Sequence, residues 1–130
     1  MELGCGTGRF LFEFARRGYA VHGLDINPQM VEYVREKASR LKLPVRVTLG
    51  DMTGFETGEE YDAGLCAVNT FGYLLTEEQI KSHLACVGRE VRVGGLYFID
   101  FDLLLNPEAA WPEGWGETSH GGEQWTMQRG

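Results

Sequence analysis

The chain has 130 residues, of which 43% are hydrophobic and 24% are charged, and its net charge is −7. This composition indicates one globular domain with an ordinary core, and the acidic balance argues against a protein that holds nucleic acid through its overall surface field. No apolar run approaches the roughly 18 residues of a membrane-spanning helix, so we expect a cytoplasmic protein without a membrane partner. Cys5, Cys66 and Cys86 have neither zinc-ligand nor disulfide spacing, and we predict no metal site.

The first predicted element is a glycine turn between a short strand and a helix. Gly4, Gly6 and Gly8 alternate there, and because glycine has no Cβ they permit a sharp turn and close approach of the backbone to a ligand. An amphipathic helix follows from Arg9. The spacing differs from the G-x-G-x-x-G fingerprint that binds a pyrophosphate. Glu2 precedes the turn, and its carboxylate would repel a pyrophosphate but attract a cationic ligand.

The segment 2–10 resembles the first motif of the class I S-adenosylmethionine-dependent methyltransferases, whose cofactor carries such a cationic ammonium group. The resemblance implies a doubly wound, Rossmann-like α/β fold with a mostly parallel sheet of strand order 3-2-1-4-5. It also implies that Glu2 faces the methionine ammonium. The backbone of the turn, from Gly4 through Cys5 and Gly6 to Gly8, is then expected to approach the cofactor.

Residues 20–25 form a second predicted strand, which ends in Asp25. Asp25 lies 21 residues beyond Gly4, close to the roughly 20-residue offset at which nucleotide-binding α/β units present a carboxylate to ribose hydroxyls. The alternative is that Asp25 only caps the next helix, but Asn27 followed by Pro28 is the better cap. We therefore predict that Asp25 binds ribose.

A helix is predicted over residues 28–41, a third strand over residues 45–49, and Asp51 follows that strand. Because ligands bind outside the carboxyl ends of strands in an open α/β sheet, Asp51 would lie at the same edge as the glycine turn. Asp51 and Met52 resemble the family's adenine-binding pair, which implies that Asp51 accepts the exocyclic amine. Ile26 matches the position that packs on the adenine face. A core role explains Met52 equally well.

Small apolar residues predict a fourth strand over 61–68, buried on both faces. The segment that follows resembles one that faces the methyl group and the acceptor in methyltransferases of small amines. The resemblance implies that Asn69 holds a carboxylate or the reacting amine, that Tyr73 walls the pocket, and that Cys66 and Asn69 lie near the sulfonium. Tyr73 is also a candidate base for an amine acceptor. Aromatic residues at such positions belong to the core about as often.

A capping box at Thr76 predicts the start of another helix, in which we expect His83 to face solvent. The residues of this helix that we expect to face the core are Ile80, Leu84 and Val87. A Gly-Gly pair at 94–95 then turns the chain into a fifth strand, residues 96–101.

We divide the chain into an α/β core that binds S-adenosylmethionine, residues 1–102, and a C-terminal segment, residues 103–130. The latter has no regular period and is interpreted as a flap over the acceptor or an incomplete element. His120 is a candidate base, and the candidates for acceptor contact include Trp111, Trp115 and Trp125. The family normally has helices before the first strand and two antiparallel strands after the fifth. This chain is therefore interpreted as a fragment, with an exposed sheet edge that would allow a homodimer.

The predicted function is transfer of a methyl group from S-adenosylmethionine to nitrogen or oxygen of a small-molecule acceptor, by direct displacement. Such a reaction needs alignment of the acceptor and exclusion of water rather than a protein nucleophile. Two alternatives stay open. One is a non-catalytic module that binds the cofactor or a partner. The other is an NAD-dependent oxidoreductase, which shares the scaffold but which the glycine spacing and Glu2 disfavour.

Overall fold

The computed structural model describes residues 1–100 in full and residues 117–120 and 123–126 by their backbone. The strands of its main sheet are β1 (Glu2–Leu3), β2 (Val21–Asp25), β3 (Val45–Leu49), β4 (Tyr61–Cys66) and β5 (Val91–Ile99). Neighbouring strands are parallel throughout, and their order is β3-β2-β1-β4-β5. The predicted Rossmann-like sheet and its strand order are therefore confirmed.

Three helices connect the strands: α1 (Arg9–Arg16), α2 (Pro28–Leu41) and α3 (Glu77–Glu90). The side-chain oxygen of Asn27 accepts the backbone N–H of Gln29 at 2.9 Å, so Asn27 is the cap of α2, as predicted. The predicted capping box of α3 is also present, at Thr76. Since Asn27 caps α2, the carboxylate of Asp25 is available for other bonds.

The core lies on both faces of the sheet. Val21 and Leu24 are an odd number of residues apart on β2, so their side chains point to opposite faces. Val21 packs in a cluster with residues of α1 and α2, including Phe12 and Val34. Leu24 packs in a second cluster with residues of α3, including Cys86. Helices thus pack against both faces of the sheet, and its ligand-binding positions lie at the carboxyl ends of the strands.

The fourth and fifth strands differ from their predicted bounds. β4 ends at Cys66 because Val68 and Asn69 both adopt positive φ, near 57°, which no strand continues. β5 begins at Val91, ahead of the glycine pair at 94–95. The pairing register shifts between Tyr61 and Ala63 of β4, and the glycines accommodate the extra residues of β5 as a bulge. The glycine pair therefore bends a strand that has already begun.

The prediction that His83 faces solvent is wrong. His83 is fully buried, whereas Leu84, which we expected in the core, is 44% exposed. The buried residues of α3 are His83, Cys86, Val87 and Glu90, which recur at the i, i+3, i+4, i+7 spacing of one helix face. Because two of these four positions carry polar side chains, His83 and Glu90, the hydrophobic pattern of the sequence did not identify this face as buried.

The C-terminal segment contains two strands that we did not predict. β6 (Glu117–His120) and β7 (Glu123–Thr126) pair with each other as a separate antiparallel sheet. Trp111 and Trp115 lie outside the described residues, and the side chains of His120 and Trp125 do as well. The division of the chain at residue 102 stays a prediction. No described helix has the length and apolar character needed to cross a membrane.

Candidate cofactor-binding site

A cleft of about 410 Å³ lies at the carboxyl ends of β1, β2 and β3. The turns that follow these strands line one part of it, and the 3-10 turn after β4 (Thr70–Tyr73) lines another. The predicted site residues that share this cleft are Gly4, Asp25, Ile26, Asp51, Met52 and Tyr73. The topology therefore brings residues from four separate segments of the chain to one place, as expected of an α/β sheet.

The glycine turn requires its glycines. Gly4, Gly6 and Gly8 have φ values of 66°, 50° and 73°, in the left-handed region that other residues rarely adopt. The Gly8 N–H donates to the Cys5 carbonyl at 2.8 Å and closes the turn immediately before α1. A Cβ on Gly4 would collide with Cγ2 of Thr70. The turn thus brings the backbone of Gly4 to the cleft wall without a side chain.

Asp25 is buried and ties the glycine turn to the end of β2. Its Oδ2 accepts the Gly6 N–H at 2.6 Å, and its Oδ1 accepts the Asn27 N–H at 2.8 Å. Each carboxylate oxygen has a second lone pair, so Asp25 keeps acceptor capacity for hydroxyl groups in the cleft. A glycine turn can offer its backbone N–H groups to an anionic ligand. Here the Gly6 N–H is bonded to the Asp25 carboxylate instead.

Asp51 is exposed at the end of β3 and is held in a tight local turn. Its Oδ1 accepts the backbone N–H of Thr53 at 2.8 Å and the Thr53 hydroxyl at 2.7 Å. The bond from the Thr53 N–H lowers the pKa of Asp51, and the hydroxyl adds to that effect. Asp51 is therefore an ionised acceptor at neutral pH, with exposed Ile26 in the same cleft.

Glu2 lies outside the cleft lining and is only 6% exposed. Burial raises the pKa of its carboxyl to about 7, against the opposing effect of a hydrogen bond from the Leu11 N–H and a further rise from nearby Asp25. The Oε2 atom of Glu2 has no hydrogen-bond partner among the described residues. A positive charge nearby would favour the ionised form of this carboxyl.

Three predicted site residues have side chains away from the cleft. The Cys5 thiol packs in the core, where burial raises its pKa to about 12, so any contact of Cys5 with a ligand would be through its backbone. Cys66 is fully buried, and burial raises the pKa of its thiol too. Asn69 is exposed next to the 3-10 turn. Among the described residues, neither Cys66 nor Asn69 lines the cleft.

Sequence reasoning missed part of the cleft wall. Thr53, Thr70 and Gln79 also line it, and we predicted none of them as site residues. Gln79 is the third helical residue of the capping box, and its side-chain oxygen accepts the Leu75 N–H at 2.8 Å. The only sign in the sequence was that Thr53 and Thr70 lie within a few residues of the ends of β3 and β4.

The charge of the cleft wall is negative. Among the described residues, its lining includes the carboxylates of Asp25 and Asp51 and no Lys, Arg or His side chain. Buried Glu2 adds a third carboxyl that contributes to the same electrostatic environment, as its interaction with Asp25 indicates. The described residues contain no group of three or more His, Cys, Asp or Glu side chains that could hold a metal ion. The site therefore suits a polar ligand without a phosphate.

Two curated relatives resemble the chain over most of its length. It is 29% identical over 100 residues to a dTDP-4-amino-2,3,4,6-tetradeoxy-D-glucose N,N-dimethyltransferase of Saccharopolyspora spinosa, which covers 77% of this chain and 39% of that enzyme. It is 32% identical over 94 residues to a magnesium-protoporphyrin O-methyltransferase of Rhodobacter capsulatus. That match covers 67% of this chain and 42% of that enzyme. The chain thus spans less than half of the length of these relatives.

A solved structure and a family model agree with these matches. The amino pentose methyltransferase CalS10 of Micromonospora echinaspora, solved with bound S-adenosylmethionine, has a TM-score of 0.71 and 30% identity, over 82% of this chain and 43% of that one. The model of the methyltransferase domain matches residues 1–95, which include β1 to β4 and the whole cleft wall. The chain therefore belongs to the methyltransferase domain family.

Proposed function

We propose that this chain binds S-adenosylmethionine in the cleft and supports transfer of its methyl group to a nitrogen or oxygen atom of a small-molecule acceptor. The observation that carries the proposal is the cleft wall, which presents Asp25 and Asp51 without a cationic side chain among the described residues. S-Adenosylmethionine has an ammonium and a sulfonium group, whereas NAD has an anionic pyrophosphate. The negative charge of the cleft wall therefore favours binding of S-adenosylmethionine and disfavours binding of NAD.

The residues present fit the polar groups of this cofactor. Asp25 would accept the ribose hydroxyls through its remaining lone pairs, and Asp51 would accept the exocyclic amine of adenine. Ile26 and Met52 line the same cleft and would pack against the adenine ring. One carboxyl oxygen of Glu2 has no partner among the described residues, and Glu2 would stabilise the ammonium group through its charge. These assignments follow the resemblance residue by residue.

When bound, S-adenosylmethionine supplies an activated methyl group, so the chain's own task is to orient an acceptor and exclude water. Tyr73 lines the cleft and is 77% exposed, which leaves its hydroxyl free to contact an acceptor. Asn69 precedes it on the same turn and would hold a polar group of the acceptor. An amine acceptor must lose one proton, to water, to Tyr73 or to His120.

The acceptor class is a small molecule, and amino sugars are the first compounds to screen. Both the Saccharopolyspora relative and CalS10 are named for amino-sugar substrates, which supports a nitrogen acceptor. The Rhodobacter relative is named an O-methyltransferase, so alcohol acceptors belong in the same screen. Formation of S-adenosylhomocysteine with each compound would distinguish the two.

Two further expectations belong to this proposal. Among the described strands, β5 lies at one edge of the five-stranded sheet, and it carries Val93, which is fully exposed, and Leu96 and Phe98, which are more than half exposed. A homodimer would form by pairing of this edge with that of a second copy, and analytical ultracentrifugation would detect it. A cytoplasmic location and the lack of a nucleic-acid partner stay predictions.

The test is calorimetric titration with S-adenosylmethionine, S-adenosylhomocysteine and NAD. We expect the first two to bind and NAD not to bind. Asp25→Asn should weaken that binding at least tenfold, because a neutral amide replaces a buried acceptor of charge-assisted hydrogen bonds. Asp62→Asn is the matched control, since Asp62 is an exposed carboxylate on β4 that pairs with Arg92.

Other outcomes would change the function. Binding of NAD alone would overturn the proposal in favour of an oxidoreductase. Binding of S-adenosylmethionine without turnover on any amine or alcohol would favour the non-catalytic module. An equal loss of affinity in Asp25→Asn and Asp62→Asn would show that the charge of the cleft wall does not direct binding.

A further inference from the structure

Side chains of helix α3 form hydrogen bonds with two backbone carbonyl groups of the turn that follows β3. The Ser82 hydroxyl donates to the Thr53 carbonyl at 2.5 Å, and the Cys86 thiol lies 3.7 Å from the same oxygen. Nδ1 of His83 lies 2.9 Å from the Met52 carbonyl oxygen. Two successive carbonyls of the predicted adenine-binding turn thus point at one helix.

Because α3 holds these two carbonyl groups, it also orients the N–H groups of the same two peptides. In a trans peptide the C=O and N–H point in opposite directions. The carbonyl of Met52 faces His83, and the N–H of that peptide, which belongs to Thr53, donates to Oδ1 of Asp51 at 2.8 Å. The next peptide repeats the arrangement, since the Gly54 N–H donates to the Asp51 carbonyl at 3.1 Å. Through the Met52 carbonyl, helix α3 therefore orients the Thr53 N–H that bonds to Asp51.

The hydrogen bonds of His83 also assign its tautomer. The Met52 carbonyl only accepts, so Nδ1 of His83 must carry the proton of this bond. Nε2 lies 2.5 Å from the Tyr97 hydroxyl, and burial lowers the pKa of His83, so the ring is neutral at pH 7 and Nε2 accepts from Tyr97. The Phe71 ring packs edge-on against the imidazole at 5.6 Å between centroids. The imidazole is thus held on both nitrogens and by an aromatic ring.

We propose that His83 is a positioning residue for adenine recognition: as the Nδ1–H tautomer, it orients the Met52–Thr53 peptide and, through that peptide, the Asp51 carboxylate. Tyr97 maintains this tautomer by donating to the other ring nitrogen. The inference rests on the proposed function, because it requires Asp51 to accept the exocyclic amine of adenine. His83 is fully buried and is not among the residues that line the cleft, so it would act through the turn.

The test compares two cofactor products, S-adenosylhomocysteine and S-inosylhomocysteine, in which a carbonyl replaces the exocyclic amine. Calorimetry should show that the wild type prefers the adenosyl compound by about tenfold or more, since a carboxylate attracts the amine and repels the carbonyl. His83→Leu should reduce that preference to about threefold or less, because Asp51 is no longer oriented. His83→Asn, whose amide can donate near the Nδ1 position, should restore the preference.

A matched control is the other described buried histidine. His22 lies near the amino end of β2, three residues before Asp25 and outside the cleft lining, and is bonded to Thr48 and Tyr61. His22→Leu removes a buried imidazole with two hydrogen bonds, as His83→Leu does, and should leave the adenosyl preference unchanged. Circular dichroism and thermal unfolding compare the folded state of all variants.

A measurement on the wild type is independent of how the variants fold. Two-dimensional ¹⁵N–¹H correlation spectra of the histidine ring should show His83 as the Nδ1–H tautomer at pH 7, assigned by the loss of its signals in His83→Asn. An Nε2–H tautomer would overturn the inference. So would a retained adenosyl preference in His83→Leu, or equal weakening of both compounds in His83→Leu without recovery in His83→Asn.

The outcomes separate this inference from the function on which it rests. If the wild type binds neither compound, the proposed function fails and the inference fails with it. If the wild type binds both compounds equally, Asp51 does not recognise the exocyclic amine and the inference is overturned. Binding of S-adenosylhomocysteine would still support the proposed function in that case. If the wild type shows the preference and His83→Leu keeps it, only the inference fails.

Discussion

Replacing Glu2 by Gln is expected to stabilise the folded protein at alkaline pH and to have little effect in acid. Burial raises the pKa of Glu2 from 4.5 to about 7 in the folded state. Between these values the folded state holds a proton that the unfolded state has released. The contribution of the protonated carboxyl to stability is therefore fully present below pH 4.5 and is lost as the pH rises through about 7.

The size of the effect follows from the pKa difference. A shift from 4.5 to about 7 corresponds to about 3.5 kcal/mol at about 1.4 kcal/mol per unit, and the wild type has lost most of it by pH 8. Glutamine is neutral at every pH and has nearly the same shape, so the Glu2→Gln variant avoids this loss. We expect the variant to exceed the wild type in free energy of unfolding by up to about 3 kcal/mol at pH 8.

Urea unfolding of both proteins at pH 5, 6, 7 and 8 measures this difference. Glu36→Gln, on the exposed face of α2, is the control, and its effect on the free energy of unfolding should be small at each pH. A Glu2→Gln effect that stays constant from pH 5 to pH 8 would refute the reasoning, because burial of the charge would then not be what destabilises ionised Glu2.

Three further changes test the turns around the cleft. Asp25→Asn should lower the free energy of unfolding by about 1.5–3 kcal/mol, measured by urea titration, because an amide donor then faces a backbone N–H. Gly4→Ala should lower the melting temperature more than Gly58→Ala in a thermal scan, since both have positive φ but only a Cβ on Gly4 would collide with a neighbour. Tyr97→Phe should cost about 1–3 kcal/mol in urea, because it leaves Nε2 of His83 unpaired, and an unchanged stability would contradict that bond.

The resemblance to the methyltransferase motif implied the strand order, and positions directly after strands located half of the residues that line the cleft. Parallel strands joined by helices present their carboxyl ends at one edge, so a polar residue directly after a strand is placed as soon as the strand is found. Asp25 and Asp51 were located in this way. Their local bonds, such as that from the Gly6 N–H to Asp25, depend on turn geometry that composition does not specify.

The contacts of α3 could not be predicted because its buried face is partly polar. A periodicity argument ranks apolar positions as buried, which favoured Leu84 over His83. The actual face contains His83 and Glu90, and both are tolerated because partners on other segments satisfy them: Met52 and Tyr97 for the histidine, and Thr57 for the glutamate. Only the three-dimensional arrangement shows those partners.

The three carboxyls at this edge contribute to binding in different ways because their surroundings differ. Asp25 already accepts two backbone N–H groups and Asp51 accepts two groups of Thr53, so each offers a directed acceptor whose strength depends on position. Glu2 is buried, and one of its oxygens has no partner among the described residues, so its ionisation responds mainly to nearby charge. A cationic ligand should therefore gain more from Glu2 than a neutral one.

Adenosine separates these contributions, because it shares the ribose and adenine of S-adenosylmethionine but lacks both cationic groups. On the proposed assignments, calorimetry should show that Asp25→Asn weakens both ligands about equally. Glu2→Gln should weaken S-adenosylmethionine several-fold at pH 8 and leave adenosine unchanged, and the difference should vanish near pH 5, where Glu2 is protonated in the wild type. A Glu2→Gln effect of the same size on both ligands would mean that Glu2 acts by supporting the turn, because only a charge effect distinguishes a cation from a neutral ligand.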